Sequence, residues 1–432
     1  MVDEKFDVVI VGAGPAGISA AIPLAKAGLK VIVIERGEYP GGKNVMGGIL
    51  YRHALDEIVP GFHREAPLER HIIRQSIWIM TKDSAFQVGY QDLALDSEPY
   101  NSYSVFRAHF DNWYADKAKE VGALIVNETV VEGLIDENGR IVGVKTGRPD
   151  GDIRCDVVII ADGVNSLLVR DLGLRGELTP DSVTLAVKEI INLDEAVLNQ
   201  RFSLTKMQGA TIELIGEITG GMVGIGFIYT NRKSISVGIG ALISEFKRTL
   251  IKPYELLDSF KDHPFVSPLI EGGESREYLA HMIPEIELNV LPKPYGSGFL
   301  VVGDAAGFGN VVHREGSNLA MTSGYLAAQA ILRAKERGDY SENSLSYYKH
   351  LLERLYILKD MKKYRNLKKY LETHKEIFTV YPSMLSEAVR EFFLVDSIPK
   401  KEKQKKIIKA VRQRRPICKI LKDLYHGFRA FW

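Results

Sequence analysis

The segment FDVVIVGAGPAGISAAIPLAKAGLKVIVIER, Phe6 to Arg36, constrains this chain more than any other. Val8 to Val11 form an unbroken apolar run, the pattern of a strand buried on both faces of a parallel sheet. Gly12, Gly14 and Gly17 follow in GxGxxG spacing and open a helix, and a second apolar run, Val31 to Ile34, ends at Glu35. Gly12 permits the tight turn, Gly14 lets backbone approach a pyrophosphate, and Gly17 lets the helix pack on the strand. The pyrophosphate then sits on the positive end of the helix. Glu35 lies 18 residues beyond Gly17, the reach needed for a ribose hydroxyl. Strand, glycines, helix, strand and acid, in that order, define a dinucleotide-binding unit. Pro23 falls inside the helix, where proline costs about 3 kcal/mol relative to alanine, so a kink is expected there.

The rest of the composition narrows the class. A chain of 432 residues can bury a large core, and its length favours two or three domains. A formal net charge of +1 argues against a nucleic-acid binder by bulk charge. Cys155 and Cys418 are the only cysteines. They exclude a disulfide scaffold, and a four-cysteine zinc or iron–sulfur site held by this chain alone. A reducing, cytoplasmic setting fits. Asp3, Glu4 and Asp7 crowd the start, so the apolar run from Val8 reads as a strand and not as a signal peptide. No segment approaches ~18 consecutive apolar residues, the length a membrane-crossing helix needs.

The dinucleotide is read as FAD. An NAD site continues into further strand and helix units, whereas here the acid runs into ERGEYPGGKNVMGGILY, Glu35 to Tyr51. Two glycine pairs, Gly41-Gly42 and Gly47-Gly48, allow backbone to lie against the extended ribityl chain and isoalloxazine. A mobile surface loop is the competing reading. CDVVIIADGVNS, Cys155 to Ser166, is another buried strand ending in Asp162-Gly163. GFLVVGDAAGFGNVVHREGSNLAMTSGYLAAQAIL, from Gly298, gives a third strand, then Gly303-Asp304, a loop, and a helix from about Gly316 to Ala334. Asp304 is placed to accept a hydrogen bond from a ribityl hydroxyl. Gly316, Ser317 and Asn318 offer free N–H groups that favour negative charge on a reduced flavin. These motifs together resemble the FAD domain of the glutathione-reductase-like group that includes p-hydroxybenzoate hydroxylase. Arg107 matches the arginine this group places before a long helix near the cofactor, against the plainer reading of a surface arginine.

The domains are therefore expected to interleave. The fold class is α/β: a Rossmann-type FAD domain of about 1–75, 100–175 and 290–340, and an antiparallel sheet domain of 76–99 and 176–289. A helical region of 341–432 follows. TIELIGEI, GMVGIGFIYT and SISVGIGALI carry the period-two patterns of the second sheet. Their glycines mark close approach of a ligand or another backbone.

GGKNVMGGILYRHALDEIVPGF, GFIYTNRKSISVGIGALI and GDAAGFGNVVHREGSNLAMTSGYLAA carry a closer resemblance. They look like the electron-transfer flavoprotein–quinone oxidoreductase family, nearest its short FixC-type subunit. The resemblance spans roughly 1–400. It implies FAD contacts at Gly12, Gly14, Gly17, Glu35, Arg36, Lys43, Gly48, Arg107, Asp162, Gly163, Gly303, Asp304, Gly316 and Asn318. It also implies electrons received from a two-subunit electron-transfer flavoprotein and passed to a membrane quinone such as menaquinone, as one branch of electron bifurcation. Longer members end in a ferredoxin-like module with four cysteine ligands. This chain has two cysteines, so the resemblance implies a separate ferredoxin-like iron–sulfur subunit. Quinone reduction consumes protons, for which His313 and Glu315 are weak candidates beside the reading of a solvated loop, while Arg314, which stays protonated, reads as a charge stabiliser. The rivals are a geranylgeranyl-type prenyl reductase, a flavin monooxygenase, and an assembly subunit without turnover. The first usually carries a tryptophan in the central strands, and GFIYTNRKS has none.

From Pro399 the chain changes character. Twelve Lys/Arg stand against Glu402 and Asp423, and the remaining 44 basic and 53 acidic residues leave the rest at −9. Ile417, Ile420, Leu421, Leu424, Phe428 and Phe431 follow helical spacing, with Pro416 at the helix start. The pattern fits a peripheral contact with anionic lipid on the inner face of the cell membrane. Docking to an acidic partner, or packing on the body, are the other uses of such a helix.

Overall fold

In the computed structural model the described residues are 5–43, 48–286, 288–310, 312–313 and 315–432. The apolar runs become strands Phe6–Val11 and Val31–Ile34, joined by helix Pro15–Lys26. Pro15 fills the first turn, where its missing N–H is not needed. The helix continues through Pro23, and the Ala27 N–H closes on the Pro23 carbonyl.

The chain divides into two units: Met1–Glu69, Tyr100–Val183 and His281–Lys362; and Arg70–Pro99, Thr184–Ala280 and Lys363–Trp432. The helical C-terminal segment is thus split, residues to Lys362 going with the first unit and the remainder with the second.

In the first unit the sheet runs Tyr295–Gly296, Phe299–Val301, Ile153–Ile160, Phe6–Val11, Val31–Ile34, Leu124–Val126. Every pairing from Phe299–Val301 onward is parallel. Phe6–Val11 lies between a strand that follows it at once and one that returns more than a hundred residues later. That reversal of direction opens a crevice beyond its carboxyl end, where ligands of such sheets bind. Helices Pro15–Lys26 and Ser317–Arg337 cross closely. A Cβ on Gly324 would overlap the Ala16 carbonyl, so glycine sets their spacing.

In the second unit Val183–Asn192, Ser234–Leu242, Gly224–Thr230 and Gln208–Gly216 pair antiparallel, as the alternating patterns predict. Gln208–Gly216 departs from the antiparallel expectation on its other side, where it runs parallel to Leu68–Met80. The latter belongs to an earlier excursion of the chain, and a parallel neighbour needs a long crossover, not a hairpin. Val187, Ile212, Leu214, Ile228, Val237 and Phe260 share the core on one face. The sheet glycines are filled by protein. Gly226 meets Phe260, and the Phe227 ring lies across Gly238 and stacks on Tyr229 at 4.8 Å. Among the described residues no helix is long and apolar enough to cross a membrane.

Candidate cofactor site

The crevice of the first unit is built from three strand ends. Gly12 ends the first strand with φ +105, and a Cβ there would overlap the Ala161 carbonyl. Only glycine tolerates both conditions. A Cβ on Gly17 would strike the Gly12 carbonyl. Gly14 differs: its backbone is extended and a Cβ would meet nothing within 4 Å. Its smallness serves empty space in front of a helix N-terminus that no side chain caps among the described residues. Such a space, facing free N–H groups, suits a pyrophosphate.

Glu35 is held by backbone. Its Oε2 accepts from the Ala13 N–H at 2.9 Å and its Oε1 from the Gly37 N–H at 2.7 Å. Each oxygen has a second lone pair for a ribose hydroxyl. Arg36 and Lys43 are exposed. Gly48 accepts from the Val105 N–H; Asn44 to Gly47 lie outside the described residues. Gly41 has a protein reason for being glycine. With φ +90 it presses on the Arg107 carbonyl and the Asp111 side chain.

Arg107 begins helix Arg107–Glu120 and is buried. Its Nε and Nη2 donate to Asp111 at 2.7 and 2.8 Å, and its Nη1 donates to Ser317 Oγ at 3.2 Å. The arginine therefore ties the start of helix Arg107–Glu120 to the start of helix Ser317–Arg337. Asp111, which the sequence reading missed, orients it. Burial pushes the Asp111 carboxyl up, and Arg107 pulls against that. An acid four residues after an arginine on one helix was the available signal.

Asp162 and Asp304 stand at the ends of the other two strands. Asp162 Oδ1 is buried without a hydrogen-bond partner among the described residues. Burial raises the Asp162 carboxyl to about 6, against hydrogen bonds from Ser166 and the charge of Arg175. Burial also raises Asp304 to about 6, against the charge of Arg107. Gly163, with φ +81, and Gly316 both border open space. Gly303 packs on Ala16, and its N–H donates to Ser323 Oγ at 2.9 Å. An orphaned carboxylate oxygen, a second raised carboxyl and free helix ends are what a hydroxyl-bearing, phosphate-bearing cofactor would satisfy. The residues present fit FAD.

The loop before Gly316 holds a clasp. The Asn310 and Asn318 amides each donate to a Glu315 oxygen at 2.9 Å. The His313 N–H donates to Asn310 Oδ1, and Arg314 lies outside the described residues. Both Glu315 oxygens are engaged in shaping the loop. A different chain of polar groups reaches this helix. His53 Nε2 is 2.9 Å from the Tyr356 hydroxyl, which is 2.7 Å from Thr322 Oγ1. Burial raises Tyr356 to about 12, and Glu315 adds to the rise. His53 and Tyr356 are some three hundred residues apart, and no sequence motif joins them.

One expectation follows for Asp304. Its folded value near 6 exceeds the ordinary 3.8, so folding disfavours the ionised form. Stability is greatest below the ordinary value, declines as pH rises through that window, and stays reduced above it. At pH 8, Asp304→Asn apoprotein should be more stable than wild-type apoprotein by about 1–3 kcal/mol. The gap should close toward acid. FAD affinity should nevertheless fall about tenfold. Thermal melts across pH and FAD titration of the apoprotein read the two effects; a destabilised apoprotein would refute the assignment.

Comparison with known proteins places this site in a class. Residues 7–168 match the FAD dependent oxidoreductase family, and the protein is an FAD-dependent oxidoreductase. Residues 367–432 match the ETF-QO/FixC family C-terminal domain. Protein FixC of Bradyrhizobium diazoefficiens is 47% identical over 434 residues, covering 100% of both chains. The probable electron transfer flavoprotein-quinone oxidoreductase YdiS of Escherichia coli strain K12 is 38% identical over 431 residues, covering 99% of both. The chain belongs to the ETF-QO/FixC family. Among solved structures, a geranylgeranyl bacteriochlorophyll reductase-like protein of Thermoplasma acidophilum superposes with TM-score 0.74 at 25% identity, covering 98% of this chain and 99% of that one. The flavin-dependent brominase Bmp2, at 18% identity and TM-score 0.66 over 99% of this chain and 95% of its own, shares the fold.

Proposed function

We propose that this chain is the quinone-reducing subunit of a membrane-peripheral complex on the cytoplasmic face. A two-subunit electron-transfer flavoprotein is the donor, a ferredoxin-like iron–sulfur subunit the carrier, and menaquinone the acceptor. The complex forms the high-potential branch of electron bifurcation. The observation that carries this reading is end-to-end similarity to FixC proteins and to a probable quinone oxidoreductase. Two cysteines, one of them buried, cannot ligate a four-cysteine cluster, which supports a carrier on another chain.

Bound FAD supplies a centre able to exchange electrons singly or in pairs. The chain's own residues do the rest. Gly14, Glu35, Asp162 and Asp304 hold and orient the cofactor. Helix Ser317–Arg337 starts beside Arg107, and its positive end would favour negative charge on a cofactor held there. His53, the Tyr356 hydroxyl and Thr322 form one hydrogen-bonded chain along which Tyr356 would give its proton to Thr322 while taking one from the His53 side, the Thr322 proton going on to the reduced quinone.

The test is anaerobic stopped-flow reoxidation of the reduced protein by a menaquinone analogue and, separately, by a geranylgeranyl lipid. Fast, saturable reoxidation by quinone alone supports the reading. Reoxidation by the lipid with loss of its double bonds would instead establish the prenyl-reductase alternative, which the Thermoplasma structure's likeness favours. Tyr356→Phe should slow the quinone reaction about a hundredfold, with a smaller solvent isotope effect and an unchanged FAD content.

A further inference from the structure

A buried ion pair stands in the wall of the cofactor crevice. Arg107 is 7% exposed and Asp111 1%. Both Asp111 oxygens accept from Arg107, Oδ1 from Nε and Oδ2 from Nη2, the fork by which a guanidinium holds a carboxylate. Nη1 instead donates to Ser317 Oγ, at the start of helix Ser317–Arg337. The glycine-rich loop closes over the pair. A Cβ on Gly41 would lie 2.8 Å from the Asp111 Cβ and 2.9 Å from the Arg107 carbonyl oxygen.

Neighbouring charges locate the pair. Burial raises the Asp304 carboxyl, and the Arg107 charge pulls it back. Burial raises Asp111, Arg107 opposes the rise, and the Glu35 charge adds to it. The guanidinium is therefore felt at the acid read as a ribityl partner, and the carboxylate feels the acid read as a ribose partner. Arg107 is a cation inside the crevice and Asp111 is its counter-charge. Stability alone is a weak reason for such a pair, because apolar residues of similar volume are often as stable or more so.

We propose that Asp111 is a positioning residue that sets the reduction potential of the bound flavin by neutralising Arg107. Adding two electrons and one proton to the flavin leaves it one unit more negative. An uncompensated guanidinium in a dry crevice would stabilise that charge and raise the potential, since charge close to a flavin tunes its electronics. The Asp111 fork cancels much of this and holds the potential down. The inference needs only the FAD site and is independent of which acceptor the reduced protein serves.

The test is the midpoint potential of the FAD-loaded protein, reduced anaerobically with xanthine and xanthine oxidase against reference dyes. Asp111→Asn should move the equilibrium toward reduced flavin at least about tenfold, which is about 30 mV for a two-electron couple. Asp111→Glu should keep most of the wild-type value. Arg107→Gln with Asp111→Asn removes both charges and should bring the potential back close to wild type. High salt should leave the shift in place, because buried charges are little screened. A merely structural lesion would lower FAD affinity and melting temperature, with no reason to reverse in the double variant. If Asp111→Asn loses its FAD, Ser317→Asp reports instead: a second carboxylate facing Nη1 should lower the potential by a similar factor. An unshifted Asp111→Asn protein, a shift retained in the double variant, or a raised potential in Ser317→Asp would overturn the proposal. Failure of the quinone reaction in wild-type protein would leave each of these potentials readable.

Discussion

Gly12→Val is expected to give a colourless, poorly folded protein. The backbone there has φ +105, and a Cβ would overlap the Ala161 carbonyl. Positive φ is a true outlier for a β-branched residue, and the overlapped atom is backbone of the neighbouring buried strand, which cannot step aside. Backbone strain and overpacking together should destabilise the first unit by more than about 3 kcal/mol. FAD per chain by absorbance and denaturant unfolding would measure it. Gly14→Ala is the contrasting case, because a Cβ there meets nothing within 4 Å. Its apoprotein should fold as wild type while FAD affinity falls at least about tenfold. Wild-type affinity in Gly14→Ala would show that the pyrophosphate does not lie beside Gly14.

Asp423→Ala should unfasten the end of the second unit. It strips the carboxylate from Arg415, which is largely buried and also donates to Glu376 at 2.8 Å. Arg415 keeps Glu376 and some contact with water, so losing Asp423 should cost about 1–3 kcal/mol. Limited proteolysis should then cut between Pro399 and Trp432. The polar clasp on Asp423 predicts an acid limit. Burial alone would raise the Asp423 carboxyl, but Tyr381, Arg415 and His374 outweigh it and hold it below 3.8. A depressed carboxyl stabilises above its unfolded value and loses that stabilisation as pH falls through its folded one. Trp432 fluorescence should thus report release of helix Ile417–Phe431 below about pH 4. An Asp423→Ala protein that resists protease as wild type does would refute the clasp.

The parts of the fold legible in the sequence are those whose physics is local. Four apolar residues followed by GxGxxG can only be a buried strand, a tight turn and a helix, and Val31–Ile34 has the bounds its apolar run announces. Asp162 and Asp304 were legible because each ends an apolar run with an acid. Asp111, His53 and Tyr356 were not. Asp111 gains meaning only when Arg107 reaches Ser317, 210 residues away, and His53 meets Tyr356 across 303. The sequence also suggested that Gly41 serves a cofactor, whereas it is the start of helix Arg107–Glu120 that presses on it. A glycine records that something lies close, but not what.

The last helix shows the division most sharply. Its amphipathic spacing and basic excess are written in the residues from Pro399 onward. Which arc faces the protein is not: Asp423, Gly427 and Ala430 turn inward and Leu424 and Phe428 outward, whereas apolar periodicity alone argues for the opposite orientation. That choice was made by Arg415, Tyr381 and His374, which converge on Asp423 only in the folded unit. Sequence alone determined the strands, the cofactor turn and the family motifs, since short-range sterics and burial patterns act within a few residues. Tertiary structure alone decided the polar chain from His53 to Thr322 and the outward apolar face, since a buried polar group takes whatever partners the whole fold brings to it.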